Sequence, residues 1–152
     1  MIKYQSGGEQ VEADLRVKIR LDFKGVSRPG RLFGGKPTEK VAEEVREQQV
    51  ALFRNVPVQG VQIEDINLAG EIYTIFDEKA NNEVAFAPVE LTVVAAGLED
   101  LIRFVIREEF RRIEILEPAG IVLSRFEVER LLFKVNEEAR GLREWLEHKY
   151  NR

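Results

Sequence analysis

The glycine-rich stretch before Pro37 contains the pattern closest to a nucleotide-binding motif. Residues 30–36 read Gly-Arg-Leu-Phe-Gly-Gly-Lys and match the opening of G-x-x-x-x-G-K-[ST]. The next position, where the motif needs Ser or Thr to hold Mg²⁺, is Pro37, which also lacks the N–H that a phosphate-cradling helix start offers. The sequence therefore does not predict a nucleoside triphosphatase.

The same loop could instead hold a small anion. Glycine-rich backbone and cationic side chains near a helix N-terminus suit phosphate, sulfate or carboxylate. The candidate anion-binding residues are Arg28, Arg31, Gly34, Gly35 and Lys36. One alternative function is thus a small-anion or phosphometabolite-binding protein, and such a protein could be an enzyme. The competing interpretation is a solvated loop without a ligand.

A row of cations on the first strand allows a second alternative. The row consists of Arg16, Lys18 and Arg20. Such a row could bind nucleic acid, but an RNA-binding sheet stacks bases on aromatic side chains and this row has none. If the strand is central, Glu114 and Glu83 or Glu90 on flanking strands could pair with the cations instead. We favour this ladder of ion pairs, so a nucleic-acid partner is not expected.

Most catalytic and metal chemistry is excluded by composition. The chain has no cysteine and a single histidine, His148, which rules out thiolate nucleophiles, disulfides and Cys- or His-rich metal sites. The pairs Glu108–Glu109 and Glu137–Glu138 are adjacent on predicted helices, where neighbouring side chains point in different directions. The sequence predicts no catalytic residue, no metal site and no cofactor.

Length and composition indicate one globular domain. The chain has 152 residues, of which 44% are hydrophobic and 33% charged, with a net charge of −4. No apolar run is long enough to span a membrane, and residues 1–10 lack the apolar core of a signal peptide, so we expect a cytoplasmic protein. The wealth of Glu and Arg fits a thermophile or a GC-rich genome.

Hydrophobic periodicity predicts the elements of the first half. Apolar and charged residues alternate without interruption over 11–23, which predicts one long amphipathic strand. A helix is expected from Pro37 to about Arg54 and a strand from Val61, with a β-bulge where the alternation changes phase at Glu64–Asp65. A polar turn at 79–82 then leads into a return strand, in which Pro88 indicates a bulge or an unpaired edge.

The second half continues with a helix, a short strand and a longer helix. The second helix is expected after Gly97, to about Arg111, and the strand around Ile113–Ile115. Ser124 and Glu127 form a capping box that starts a helix reaching about Tyr150. The order β-α-β-β-α-β is that of the ferredoxin-like split βαβ sandwich, here with an additional C-terminal helix. We expect a core at about 11–118 and the helix at about 124–150.

The C-terminal helix has an apolar stripe with strict heptad spacing. The stripe consists of Val128, Leu132, Val135, Ala139, Leu142 and Leu146. We call these six residues the seam, and Trp145 lies beside it. Two other helices already suffice to cover one sheet face, so the seam predicts a partner, either a second copy or another protein. The candidate interface residues are Val128, Leu132, Val135, Leu142, Trp145 and Leu146. The sequence thus favours a non-enzymatic binding or scaffold module that self-associates or binds a protein partner.

Overall fold

A computed structural model describes residues 2–6, 8–26 and 37–150. Within them lie seven strands, three α-helices and one 3-10 helix at Leu98–Leu101. The strands are β1 Ile2–Ser6, β2 Glu9–Ala13, β3 Leu15–Val26, β4 Val61–Asn67, β5 Tyr73–Asp77, β6 Asn82–Ala95 and β7 Phe110–Glu117. The helices are α1 Thr38–Asn55, α2 Ile102–Val105 and α3 Arg125–Tyr150. The protein is therefore a mixed α/β protein with a long C-terminal helix.

The main sheet is antiparallel and has five strands. Its order is β4-β6-β3-β7, with β5 pairing with β6 beyond the end of β4. β3 thus lies between β6 and β7, and β7 forms one edge of the sheet among the described strands. β1 and β2 form a separate two-stranded sheet.

The prediction of a single strand over 11–23 is wrong in one respect, because the strand is interrupted at Asp14. Residues before the break belong to β2 in the small sheet, and residues after it form β3 in the main sheet. Within β3 the alternation holds, since Leu15, Val17, Ile19, Leu21 and Phe23 are completely buried. Alternation specifies which side a residue faces, but a strand that leaves one sheet for another keeps the same alternation. β1 was not predicted, because its sequence Ile-Lys-Tyr-Gln-Ser is largely polar.

The helix α1 packs on the side of β3 that carries the buried apolar residues, which we call the helix face. A Cβ at Gly25 would lie 2.6 Å from the Cα of Ala42, so the glycine allows strand and helix to approach closely. Val41, Ala42 and Val50 are buried in this contact. Leu52, near the end of the helix, is exposed instead.

Two predicted irregularities of the sheet are present. The β4–β6 pairing shifts register between Ile63 and Asp65, which is the predicted bulge. Pro88 pairs with Asp22 of β3 on one side of β6. On the other side, β4 ends opposite Glu90 and β5 begins opposite Phe86, so Pro88 lies in the gap between them. A residue without an N–H is tolerated there because no strand needs it as a donor.

The second helix is shorter than predicted. The 3-10 helix is followed by α2, which ends at Val105, and β7 begins at Phe110, before the predicted end of the helix at Arg111. Leu101 and Phe104 supply the buried apolar contacts of this segment. A single helical turn suffices for those two contacts, and the following charged residues return to the sheet edge instead of prolonging the helix.

The helix α3 matches its prediction and has 26 residues. Among the described helices, none is long and apolar enough to cross a membrane.

Candidate protein-interaction surface

The start of α3 is fixed by the predicted capping box. The N–H of Glu127 donates to Ser124 Oγ at 3.1 Å, and the N–H of Ser124 donates to the Glu127 carboxylate at 2.7 Å. The hydrogen bond from the Ser124 backbone is the main cause of a lowered pKa of Glu127. Both residues satisfy N–H groups that the first turn cannot bond internally, so the helix begins at a defined position.

The body of the protein contacts α3 along one side only. The first turns of α3 and residues 96–100 line a cavity of about 130 Å³, beside which Arg130 forms an ion pair of 3.7 Å with Glu99. The last turn of α3 lines a second cavity of about 680 Å³ together with Asp22, Lys24 and Arg111. Although these contacts extend from one end of α3 to the other, no residue of the helix is buried.

The predicted interface residues lie on a partly open side of α3. Leu132 is 63% exposed, Val128 38% and Val135 39%. Trp145 is also exposed, whereas Leu142 and Leu146 are half-buried towards the body. The seam is therefore only partly covered by its own chain. An amphipathic helix normally buries its apolar stripe, so the uncovered part is available to another molecule.

Two exposed aromatic residues of α3 were missed. Phe126 and Phe133 lie one heptad apart on the side of the helix away from the seam, and Phe133 is 67% exposed. Their spacing of seven residues places them on the same side of the helix. Two apolar residues alone do not form a stripe, so the sequence contains only a weak signal for this surface.

The edge strand β7 adds apolar surface that was also not predicted to be open. Ile113 and Ile115 are 36% and 43% exposed, and they pair with Ile19 and Val17 of β3. Both side chains therefore lie on the helix face of the sheet. Periodicity indicated a strand here but not that it would lie at the edge, where fewer neighbours cover its side chains.

The basic row of β3 is paired with carboxylates, largely as the favoured ladder requires. Arg16 lies 3.0 Å from Glu64 and Lys18 lies 3.7 Å from Glu90. Of the predicted partners, Glu90 is confirmed. Glu114 lies opposite Lys18 in register but is the ion-pair partner of Arg112 at 3.6 Å. Glu83 is wrong as a partner, because it pairs with Phe76 of β5 near the far end of β6.

The third cation of the row, Arg20, belongs to a cluster around a buried carboxylate. Asp22 is 1% exposed and accepts hydrogen bonds from Arg20 at 2.9 Å and 3.2 Å and from the Tyr73 hydroxyl at 2.5 Å. Arg111 lies 3.7 Å from the same carboxylate and stacks over Phe86. Burial, followed by the hydrogen bond to Asp22, raises the pKa of Tyr73. The cluster ties β3, β5 and β7 together on the face opposite α1.

The anion-binding candidates Arg28, Arg31, Gly34, Gly35 and Lys36 lie outside the described residues. In the described part of the chain, no cluster of His, Asp and Glu side chains is suited to hold a metal ion. The uncovered side of α3 and the edge at β7 are thus the candidate interaction surfaces in the residues that the structure describes.

Comparisons of the chain with protein-family models, with curated proteins and with solved structures find no match. The functional assignment of the candidate surface therefore rests on its own geometry.

Proposed function

We propose that this protein is a non-enzymatic binding or scaffold module that self-associates or binds a protein partner through α3. The observation that carries the proposal is that a helix of 26 residues has no buried residue while its seam exposes Val128, Leu132 and Val135. Covering apolar surface contributes about 25 cal/mol per Å². A folded partner that fits the seam gains this contribution at little ordering cost, because the capped helix is already formed.

The arrangement of the sheet supports a ferredoxin-like scaffold for this helix. β3 and β4 are separated by one antiparallel strand, β6, and are connected through α1, which is a split βαβ unit. A second unit follows from β6 through α2 to β7 on the other side of β3. In this scaffold α3 is the added element, and the core covers its seam only in part.

The proposal is tested by placing a charge on the seam. Leu132→Glu should reduce self-association measured by sedimentation velocity, because a carboxylate in an apolar contact must lose its hydration. Phe133→Glu is the matched control, since Phe133 is the next residue and is about equally exposed but points away from the seam. It should leave the sedimentation coefficient unchanged. A folded protein that sediments as a 17.5 kDa monomer at every concentration would contradict self-association.

A further inference from the structure

We infer that the occupant of the open seam is a second copy of this chain. The two copies would be related by a twofold axis that places α3 antiparallel to α3 and β7 antiparallel to β7. This inference rests on the proposed function and specifies its partner. Three observations carry it: the position of α3 along the sheet, the order of residues along the seam, and the charges beside the seam and on β7.

The first observation is where the two ends of α3 lie along the sheet. The first turns of α3 contact residues 96–100, next to the point where Ala95 pairs with Leu15. The last turn of α3 reaches the cavity at Asp22 and Lys24. The centre of the helix, near Glu137, therefore lies close to the level of Ile19, whose partner on β7 is Ile113. A single twofold axis can therefore pass close to the centre of α3 and to the centre of β7.

The second observation is that the seam is complementary to itself in the antiparallel direction. In an antiparallel pair, Val128 lies opposite Leu146, Leu132 opposite Leu142 and Val135 opposite Ala139 of the second copy. In each pair the two residue numbers average 137, so a single twofold axis near residue 137 produces all three contacts. In a parallel pair, Ala139 would instead meet Ala139 and leave the layer underfilled.

The third observation is the charge pattern beside the seam. Glu129 and Arg143 are exposed, and neither has an ion-pair partner among the described residues. They lie equally far from Asn136 on the outer side of the seam. An antiparallel pair therefore places Glu129 beside Arg143 of the second copy, twice. Asn136 meets Asn136, whose amide can both donate and accept.

The edge of the sheet has the same self-complementarity. With Ile113 on the axis, Arg112 lies opposite Glu114 of the second copy, again twice. These side chains project from the sheet face away from the helices and are well exposed. On the other face, Ile113 and Ile115 would lie beneath the two seams. An unpaired edge strand offers a full row of N–H and C=O groups for such an addition.

Cross-linking of single-cysteine variants tests the geometry, because the natural chain has no cysteine. In the antiparallel pair, two copies of residue 129 lie about 21 Å apart at ~1.5 Å per residue. Glu129→Cys alone and Arg143→Cys alone should therefore not cross-link with a short bismaleimide. An equimolar mixture of the two full-length variants should form a covalent dimer. Asn136→Cys, which lies within one residue of the axis, should cross-link with itself and shows that the reagent works.

A charge swap tests the contact at β7. Arg112→Glu should weaken the dimer about tenfold, since it places like charges opposite each other twice. The double variant Arg112→Glu/Glu114→Arg should restore the dissociation constant to within about threefold, because it exchanges both partners of each pair. Thr92→Glu, on the same sheet face but away from the edge, is the control.

The outcomes separate the two proposals. Self-cross-linking of Glu129→Cys would show a parallel pair and overturn the inference while leaving self-association through α3 intact. A dimer insensitive to Arg112→Glu would overturn the contact at β7. A folded monomer at all concentrations would overturn both the second copy and self-association.

Discussion

The buried carboxylate of Asp22 allows a quantitative prediction about what holds the charged face of the sheet together. Asp22→Asn keeps the shape of the side chain and removes its charge. It takes the anion away from Arg20 and Arg111, whose side chains are 44% and 36% exposed. The remaining amide oxygen can still accept from Tyr73 and from one nitrogen of Arg20, but the new NH₂ group then faces the other Arg20 nitrogen, which is also a donor.

The magnitude follows from the contacts and the exposure of the arginines. Hydrogen bonds to a charged group contribute about 1.5–3 kcal/mol each, and breaking a fully buried ion pair costs about 3–5 kcal/mol. Both arginines are partly exposed and can turn towards water, which lowers the cost relative to a fully buried pair. We therefore expect Asp22→Asn to reduce the free energy of unfolding by about 2–3 kcal/mol.

Urea unfolding at one fixed protein concentration measures this cost, because self-association makes the apparent stability depend on concentration. With a slope of about 2 kcal/mol/M, the unfolding midpoint should fall by about 1 M. Asp65→Asn is the matched control: this aspartate is exposed on β4, and its replacement should change stability by less than about 0.5 kcal/mol. An Asp22→Asn variant as stable as that control would refute the role assigned to the cluster.

Three further predictions concern close packing, alkaline pH and the helix start. Gly25→Ala should lower the free energy of unfolding measured in urea by about 3 kcal/mol, because the added Cβ meets the backbone of α1. Gly141→Ala is the control: open space surrounds this helical glycine, so alanine should raise the free energy of unfolding by up to about 1 kcal/mol. Equal effects of the two substitutions would contradict this packing. Because the pKa of Tyr73 is raised, its contribution to stability is complete below about pH 10 and is lost as pH rises through the folded pKa. Tyr73→Phe should remove that alkaline loss, and an unchanged profile would exclude Tyr73 as its origin. Ser124→Ala should weaken the first turn of α3 by about 1 kcal/mol, seen as faster amide exchange there; unchanged exchange would show that the cap is not needed.

Local sequence signals predicted the elements whose cause is itself local. The β-bulge at Ile63–Asp65 follows from a change of phase, and Asn81 adopts the positive φ of 53° expected in the turn after β5. The capping box of α3 requires only Ser124 and Glu127 at the right spacing. In each case the stabilising partner lies within a few residues, so the sequence contains the whole interaction.

The seam could be predicted as an apolar stripe, and a partner was expected for it, but the spacing does not say how much of the stripe the core leaves open. Heptad spacing shows that Val128, Leu132 and Val135 share one side of α3. Whether the core covers that side depends on where α3 meets the body, and this is set by contacts with distant residues such as Glu99 and Arg111. Periodicity describes one element at a time. The exposed fraction of each seam residue depends on how α3 packs on the body, so it cannot be predicted from the spacing of apolar residues.

By itself the sequence determined the helix α3, its start at Ser124 and the alternation of β3, because period and capping act between near neighbours. Only the tertiary structure decided that the strand breaks at Asp14, that Asp22 is buried under Arg20 and Tyr73, and that β7 lies at an edge. These features depend on which strands pair and which elements cover them. Such long-range contacts also decide which charges of β7 stay exposed at the sheet edge and which side of α3 stays open.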